Sequence, residues 1–257
     1  MSTITVEAIK DFQICERLFD YRHIQKMSEK MYSREINSDK FEKTIKNIIC
    51  FFMFKKQSGS LPSYAAILNR WEKMWFPKDT NSYDIITEQH ETVYGNMSSL
   101  TTKAANSLLL FYSHYSKIDF VPISISEEYY ISTRKGISIK DSFDVIVYFD
   151  KTFYVIKILF NYKNSKKDIY KTDFACLKKG FESRHPDKSH ITKYGFIDMM
   201  SQNIGFQEYL LSQDDIMVFD NWCDKIDATE IFMNKRGLIS YCKKCPFDDP
   251  CSKWKKE

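Results

Sequence analysis

The chain has 257 residues, 43% apolar and 16% aromatic with only 7 glycines, a composition that packs a core and excludes a disordered or collagen-like chain. Its 38 basic and 34 acidic residues leave a formal charge of +4, too mild to impose a nucleic-acid partner by charge alone. The first residues alternate polar and apolar side chains without forming a leader, and no apolar run reaches transmembrane length, so the expected location is the cytoplasm, that of the host if the source is viral.

Thr5 to Gln25 reads as a short helix, with Ile9, Phe12, Ile14, Leu18, Phe19 and Tyr21 as its apolar stripe and Cys15 near its middle. A second helix is predicted from about Asp39 to Phe54. Leu61-Pro62-Ser63 introduces a third through Ala65, Leu68, Trp71, Met74 and Trp75, and Thr87 to Tyr115 holds one or two more. The pattern then changes to runs rich in Val, Ile, Tyr and Phe: Phe120 to Ser126, Glu128 to Thr133, Ser138 to Phe149 and Thr152 to Phe160, a strand meander with Asp150-Lys151 as a tight hairpin turn. Asp168 to Phe181 reads as a helix, Lys193 to Met199 as a strand and Gln207 to Gln213 as the start of a further helix. Ile216 to Phe219 and a connecting segment then lead to the end of the chain. The expected organisation is one mixed α/β domain, mainly helical over residues 1–115, with the sheet over 116–220 and a terminal segment over 221–257.

Cysteine placement carries the first chemical signal. Cys242, Cys245 and Cys251 form a C-x2-C-x5-C run, and Cys15 lies near the opposite end. Four thiolates complete either a [4Fe-4S] cluster or a tetrahedral Zn2+ site, and either would clasp the two ends of the chain together. Seven cysteines, an odd number without a leader, suit a metal site in a reducing compartment better than a disulfide framework. Cys50, Cys176 and Cys223 read as buried small side chains.

Lys163, Lys166, Lys167, Lys171, Lys178 and Lys179 crowd one stretch, interleaved with Tyr162, Tyr170 and Phe174. Cations beside ring faces are what a nucleic-acid groove requires; a solvated lysine face is the plainer alternative. His185 and His190, five apart in a polar loop, lack a convincing partner acid, and His90 and His114 offer no better ligand set. Asp198 reads as a strand-end or turn acid.

Three segments together resemble the RecB-type branch of the PD-(D/E)XK nuclease superfamily, in particular its iron-sulfur members, the AddB-type helicase-nuclease subunits and the CRISPR-associated RecB-like exonucleases. Ile9 to Arg22 resembles the family's opening helix, where a cysteine is followed by arginine, an aromatic and a tyrosine. The terminal cysteine run has the family's spacing, and Ser142 to Tyr148 resembles the strand that bears its metal-binding aspartate, here Asp144. The resemblance implies a restriction-endonuclease-like core with a central mixed sheet flanked by helices. It also implies a [4Fe-4S] cluster on Cys15, Cys242, Cys245 and Cys251, and a history of Mg2+- or Mn2+-dependent DNA cleavage.

The catalytic positions depart from that family. Where it has acid-x-lysine on the next strand, this chain has Lys157-Ile158-Leu159, which puts a cation where the metal belongs and invites a Lys157–Asp144 pair across adjacent strands. The family's upstream histidine is missing from Asp39 to Phe54, and Tyr170 is the nearest survivor of its later glutamine and tyrosine. Glu127, Glu128, Asp141, Asp150, Asp168 and Asp173 could in principle replace the lost acid, though each alone reads as a surface carboxylate. The leading expectation is a non-catalytic nuclease fold with a vestigial Asp144, binding DNA or a partner such as a helicase or polymerase. The alternatives are an active metal-dependent exonuclease with relocated residues, and a structural subunit that never touches DNA.

Overall fold

Alternating apolar positions on β-branched and aromatic residues build the centre of the protein, a sheet with both faces covered by helices. The computed structural model describes residues 3–27, 33–75, 97–133, 136–162, 170–229 and 245–247, the side chains of 33–37 and 97–98 apart. The strands are β1 (Thr3–Thr5), β2 (Val121–Ser132), β3 (Ser138–Phe149), β4 (Thr152–Leu159), β5 (Thr192–Asp198) and β6 (Gln207–Glu208). The helices are α1 (Val6–Ile14), α2 (Glu16–Phe19), α3 (Ser33–Gln57), α4 (Tyr64–Trp75), α5 (Met97–Tyr115), α6 (Lys171–Arg184) and α7 (Gln213–Ala228). The expected mixed α/β architecture with a mixed central sheet is therefore observed. No helix among the described residues is long and apolar enough to cross a membrane.

β3 is the central strand. β2 runs antiparallel along one edge from Ser138 to Tyr148, while the other edge is shared: β1 pairs with it in parallel from Ser138 to Lys140, and β4 pairs antiparallel from Val145 to Phe149. β4 continues in parallel to β5, which carries the short antiparallel β6. On one face α1, α6 and α7 pack over Ile139, Phe143, Ile146, Val155 and Phe196. On the other, α3, α4 and α5 pack over Val145, Val147, Ile156, Ile158 and Ile197. With both faces covered, β4 has little reason to alternate polar and apolar residues, and it reads almost continuously apolar.

Several predicted elements take a different form. The single helix from Thr5 to Gln25 is instead β1, α1 and α2 with a break at Cys15, whose φ of −166° and ψ of 122° are extended. The chain then widens into a π-helical turn at Asp20–Ile24. The two strands predicted from Phe120 to Thr133 are one, β2, distorted at Ser126 where φ is +52°. Asp150 and Lys151 form the expected hairpin turn, both with positive φ, the geometry that matches strand twist. The helix predicted to start at Gln207 is β6, which approaches β5 closely because Gly195 lies there: a Cβ on it would sit 2.1 Å from the Gln207 carbonyl oxygen. The helix begins later, at Gln213, where Ser212 and Asp215 form a reciprocal capping box, so Ile216 and Phe219 are helical core residues.

Candidate functional site

The shared edge of β3 creates a fork. β1 ends opposite Lys140 and β4 begins opposite Val145, so residues 141–144 have no strand beside them on that edge. Beyond Ile156, β4 leaves β3 and follows β5, with Lys157 opposite Phe196 and Ile158 opposite Ile197. The pleat also resets here: Phe143 and Ile146, three residues apart, both reach the core beneath α1, α6 and α7. Asp144 occupies the reset. Its Oδ2 accepts the Ile158 backbone N–H at 2.7 Å, serving as the acceptor that a neighbouring strand would otherwise supply, and lies 3.3 Å from Lys46 Nζ on α3.

Lys157 projects into the fork from β4. Its Nζ lies 2.9 Å from Asp141 Oδ2 and 3.8 Å from Asp173 Oδ1 on α6. The expected Lys157–Asp144 pair is thus not formed, because the strands separate at the rung where the two would meet. The network extends outward: Lys10 of α1 is 2.6 Å from Asp173 Oδ2, and the Tyr129 hydroxyl donates to Asp141 Oδ2 at 3.0 Å. Three carboxylates, Asp141, Asp144 and Asp173, are matched by three ammonium groups, Lys10, Lys46 and Lys157. Burial pulls the Lys157 ammonium down, but Asp141, Asp173 and Asp144 more than offset it and hold its pKa above the ordinary lysine value. Burial, with Cys176 and Asp141 nearby, pushes the Tyr129 phenol up, so it stays a donor.

Asp141 and Asp173 are therefore not the surface carboxylates that each suggested in isolation. No spacing rule could have joined them to Asp144, because in a regular strand 141 and 144 face opposite sides. Lys46 was equally hidden, yet it reaches Asp144 from the helix on which the family resemblance expects a histidine. Among the described residues no group of three His, Cys, Asp or Glu side chains is arranged to hold a metal ion. The carboxylates that approach one another in the fork are already engaged by lysines.

The other candidates lie elsewhere. Asp198 accepts the backbone N–H groups of Asn161, Tyr162 and Met200 at 2.8, 2.8 and 3.0 Å, the strand-end role expected of it. Glu127 pairs with Arg184 and Glu128 with Lys140, while Asp150 lies in the hairpin turn. Lys171 pairs with Asp215 at 3.0 Å, Lys178 with Glu182 at 3.9 Å and Lys179 with Asp220 at 2.7 Å. Phe174 is buried and stacks on Tyr209, so it offers no face to a base. Tyr162 and Tyr170 are half-buried neighbours with ring centroids 5.2 Å apart. Lys163, Lys166, Lys167, Asp168 and His90 lie outside the described residues. His114 packs on Tyr115 and His185 on Phe181. His190 lies in a single 3-10 segment with Lys188.

Chain ends meet at a second, small cluster. Phe247 is buried against Leu18 and Tyr21, with the Tyr21 and Phe247 rings 5.6 Å apart at their centroids, and Cys15 and Cys245 pack against the same cluster. Two thiols brought to one apolar patch from opposite ends of the chain fit the donor set of a shared thiolate centre. Cys242 and Cys251 lie outside the described residues. Cys176 and Cys223 are buried as expected, and burial pushes the Cys223 thiol up to about 12, whereas Cys50 is only half-buried, with its sulfur 3.2 Å from Ser126 Oγ.

No protein-family model matches the sequence, and no curated protein matches it. Solved structures do match. One, provisionally named an exonuclease, comes from Eubacterium rectale; it is 12% identical with a TM-score of 0.49, over 95% of this chain and 87% of that one. Another, SSO0001, is 13% identical with a TM-score of 0.43, over 96% of this chain and 84% of that one.

Proposed function

We propose that the chain is a RecB-like nuclease-fold protein of the iron-sulfur kind that has given up hydrolysis and serves as a DNA-binding or protein-interaction module in nucleic-acid metabolism. The observation that carries this reading is the Lys157 ammonium lying between Asp141 and Asp173 at the sheet fork. Phosphodiester hydrolysis of this class needs open carboxylates to hold a hard divalent cation at the developing negative charge. Here Lys157 engages Asp141 and Asp173 while Lys46 engages Asp144, so the acids of the fork face tethered ammonium groups, which have no vacant coordination site for a water or a phosphate oxygen. Asp144 keeps a structural duty, holding the Ile158 amide where the ladder opens.

Cys15, Cys242, Cys245 and Cys251 would hold the [4Fe-4S] cluster, or a Zn2+ ion in its place. The packing of Phe247 on Leu18 and Tyr21 supports that assignment by bringing Cys245 to the same patch as Cys15. The group would act as a clasp between the chain ends. For DNA, the phosphate-facing cations would be Lys163, Lys166, Lys167, Lys171 and Lys178. Lys171 and Lys178 would have to exchange a carboxylate for a phosphate, so binding through them should be weak and strongly salt-dependent.

The test combines a mobility-shift titration on single-stranded and duplex DNA over rising salt with a cleavage assay in Mg2+ or Mn2+. Retained DNA that stays intact in both metals supports the reading, whereas cleavage that a chelator stops overturns it. The approach of Asp141 and Asp173 to one ammonium, with Asp144 on the same strand as Asp141, keeps an active deoxyribonuclease as the second reading, and that assay decides between them. Absence of binding even at low salt, with a protein partner that co-purifies, would instead favour a subunit that never touches nucleic acid.

A further inference from the structure

The break at Cys15 lacks the residues that ordinarily end a helix: neither glycine nor proline lies between Val6 and Ile24. Tertiary contacts hold it instead. Asp11, four residues before the cysteine and 6% exposed, receives Arg22 Nη1 on both carboxylate oxygens at 2.9 and 2.7 Å. His23 Nε2 lies 2.7 Å from Asp11 Oδ2. One buried carboxylate on α1 thus grips two side chains on the far side of the break. The Cys15 backbone N–H still donates to the Asp11 carbonyl at 2.8 Å, so the first helix is finished properly before the chain turns extended.

The wide turn at Asp20–Ile24 makes the grip geometrically possible. It sends Arg22 and His23 back toward Asp11 while leaving Tyr21 against Phe247. Phe19 adds a ring contact to His23 with centroids 5.5 Å apart, and packs edge-on against Phe12 of α1. Phe19, Arg22 and His23 thus reach back to α1, while Tyr21 meets the tail at Phe247.

We propose that Asp11, Arg22 and His23 form a lock across the Cys15 break that pre-shapes the receptor for the C-terminal segment, presenting Leu18 and Tyr21 to Phe247 and holding Cys15 against the cluster that Cys245 also joins. The three are positioning residues: they contact no metal and act through the backbone that carries Cys15. The part of the proposal that concerns metal retention rests on the four-thiolate reading above; the part that concerns tail docking does not.

The test uses the full chain, prepared anaerobically, as wild type, Arg22→Ala, Arg22→Lys, His23→Gln, and Lys43→Ala as a control that removes only an exposed pair. Two readouts are taken: hydrogen exchange at residues 16–24 and at the amides of Cys245 and Phe247, and the rate at which bound iron or zinc passes to a chelator. Arg22→Ala should lose exchange protection in both segments by about tenfold, the weight of a charge-assisted hydrogen bond, and release metal faster by a similar factor. Arg22→Lys should recover part of each, and Lys43→Ala should match wild type. If Arg22→Ala fails to fold, His23→Gln carries the same prediction with a smaller effect. Unchanged exchange at Cys245 and Phe247 in variants that expose 16–24 overturns the lock. Wild type without metal overturns the four-thiolate reading alone and leaves exchange to decide the rest.

Discussion

Replacing Lys157 by methionine keeps the length and apolar stem of the side chain but removes its charge, leaving Asp141 and Asp173 in the fork without the ammonium between them. The side chains are 13% exposed for Lys157, 17% for Asp141 and 8% for Asp173, so water can replace little of what is lost. Breaking a buried pair from one side costs about 3–5 kcal/mol. Lys10 remains 2.6 Å from Asp173, which favours the lower end, about 3 kcal/mol and about 6–12 °C in Tm for a chain of this size. Because folding raises the Lys157 pKa above its ordinary 10.5, its contribution is complete below that value and is lost only as pH rises through the folded value. Urea unfolding of wild type and variant should therefore show a constant gap from about pH 6 to 9. Adding Asp141→Asn should return part of the loss, since it removes the stranded charge. A loss under about 1 kcal/mol, no larger than an exposed ion pair gives, would refute the ammonium's role, as would a double variant whose losses simply add.

Other substitutions probe other parts of the molecule. Asp198→Ala strands three backbone amides of the β4 and β5 ends and should cost about 3 kcal/mol by chemical denaturation. Gly180→Ala puts a methyl 2.2 Å from the Tyr129 ring, which must move with its hydrogen bond to Asp141; a loss of about 1–3 kcal/mol is expected, relieved when Tyr129 is also reduced to leucine. Phe247→Ala empties the cluster on Leu18 and Tyr21 and should lower Tm and speed metal release, whereas Phe54→Ala, at an exposed position, should change neither. Cys15→Ala should abolish bound metal and cost a few kcal/mol, on the order of what closing a long loop supplies; a variant that keeps its iron and its Tm contradicts the clasp.

Local signals made the elements legible, and long-range ones were not. β3 and the Asp150-Lys151 turn follow from a β-rich run and a two-residue gap, and both lie where expected. β1 gave no such sign, because three residues of strand are defined only by pairing with Ser138–Lys140. The start of α7 lies in Ser212 and Asp215, three apart, a local capping signal, yet the expected helix begins as early as Gln207. At the site, Asp144 and the charge inversion at Lys157 were visible in the order of residues. The partners of Lys157 were not, since they depend on where two strands part company. The break at Cys15 is similar: its cause is a carboxylate and an arginine eleven residues apart, brought together by a turn of unusual width.

The shared edge of β3 also bears on how the chain is made. Thr3–Thr5 pairs with Ser138–Lys140, so during vectorial synthesis β1 waits for a template that emerges more than a hundred residues later. α3, α4 and α5 come out in the interval, with their apolar sides awaiting a sheet that does not yet exist. Production in a heterologous host should therefore respond to chaperone supply and to slower translation, and an N-terminal fusion that hinders threading beside β3 should lower yield more than one placed in an exposed loop.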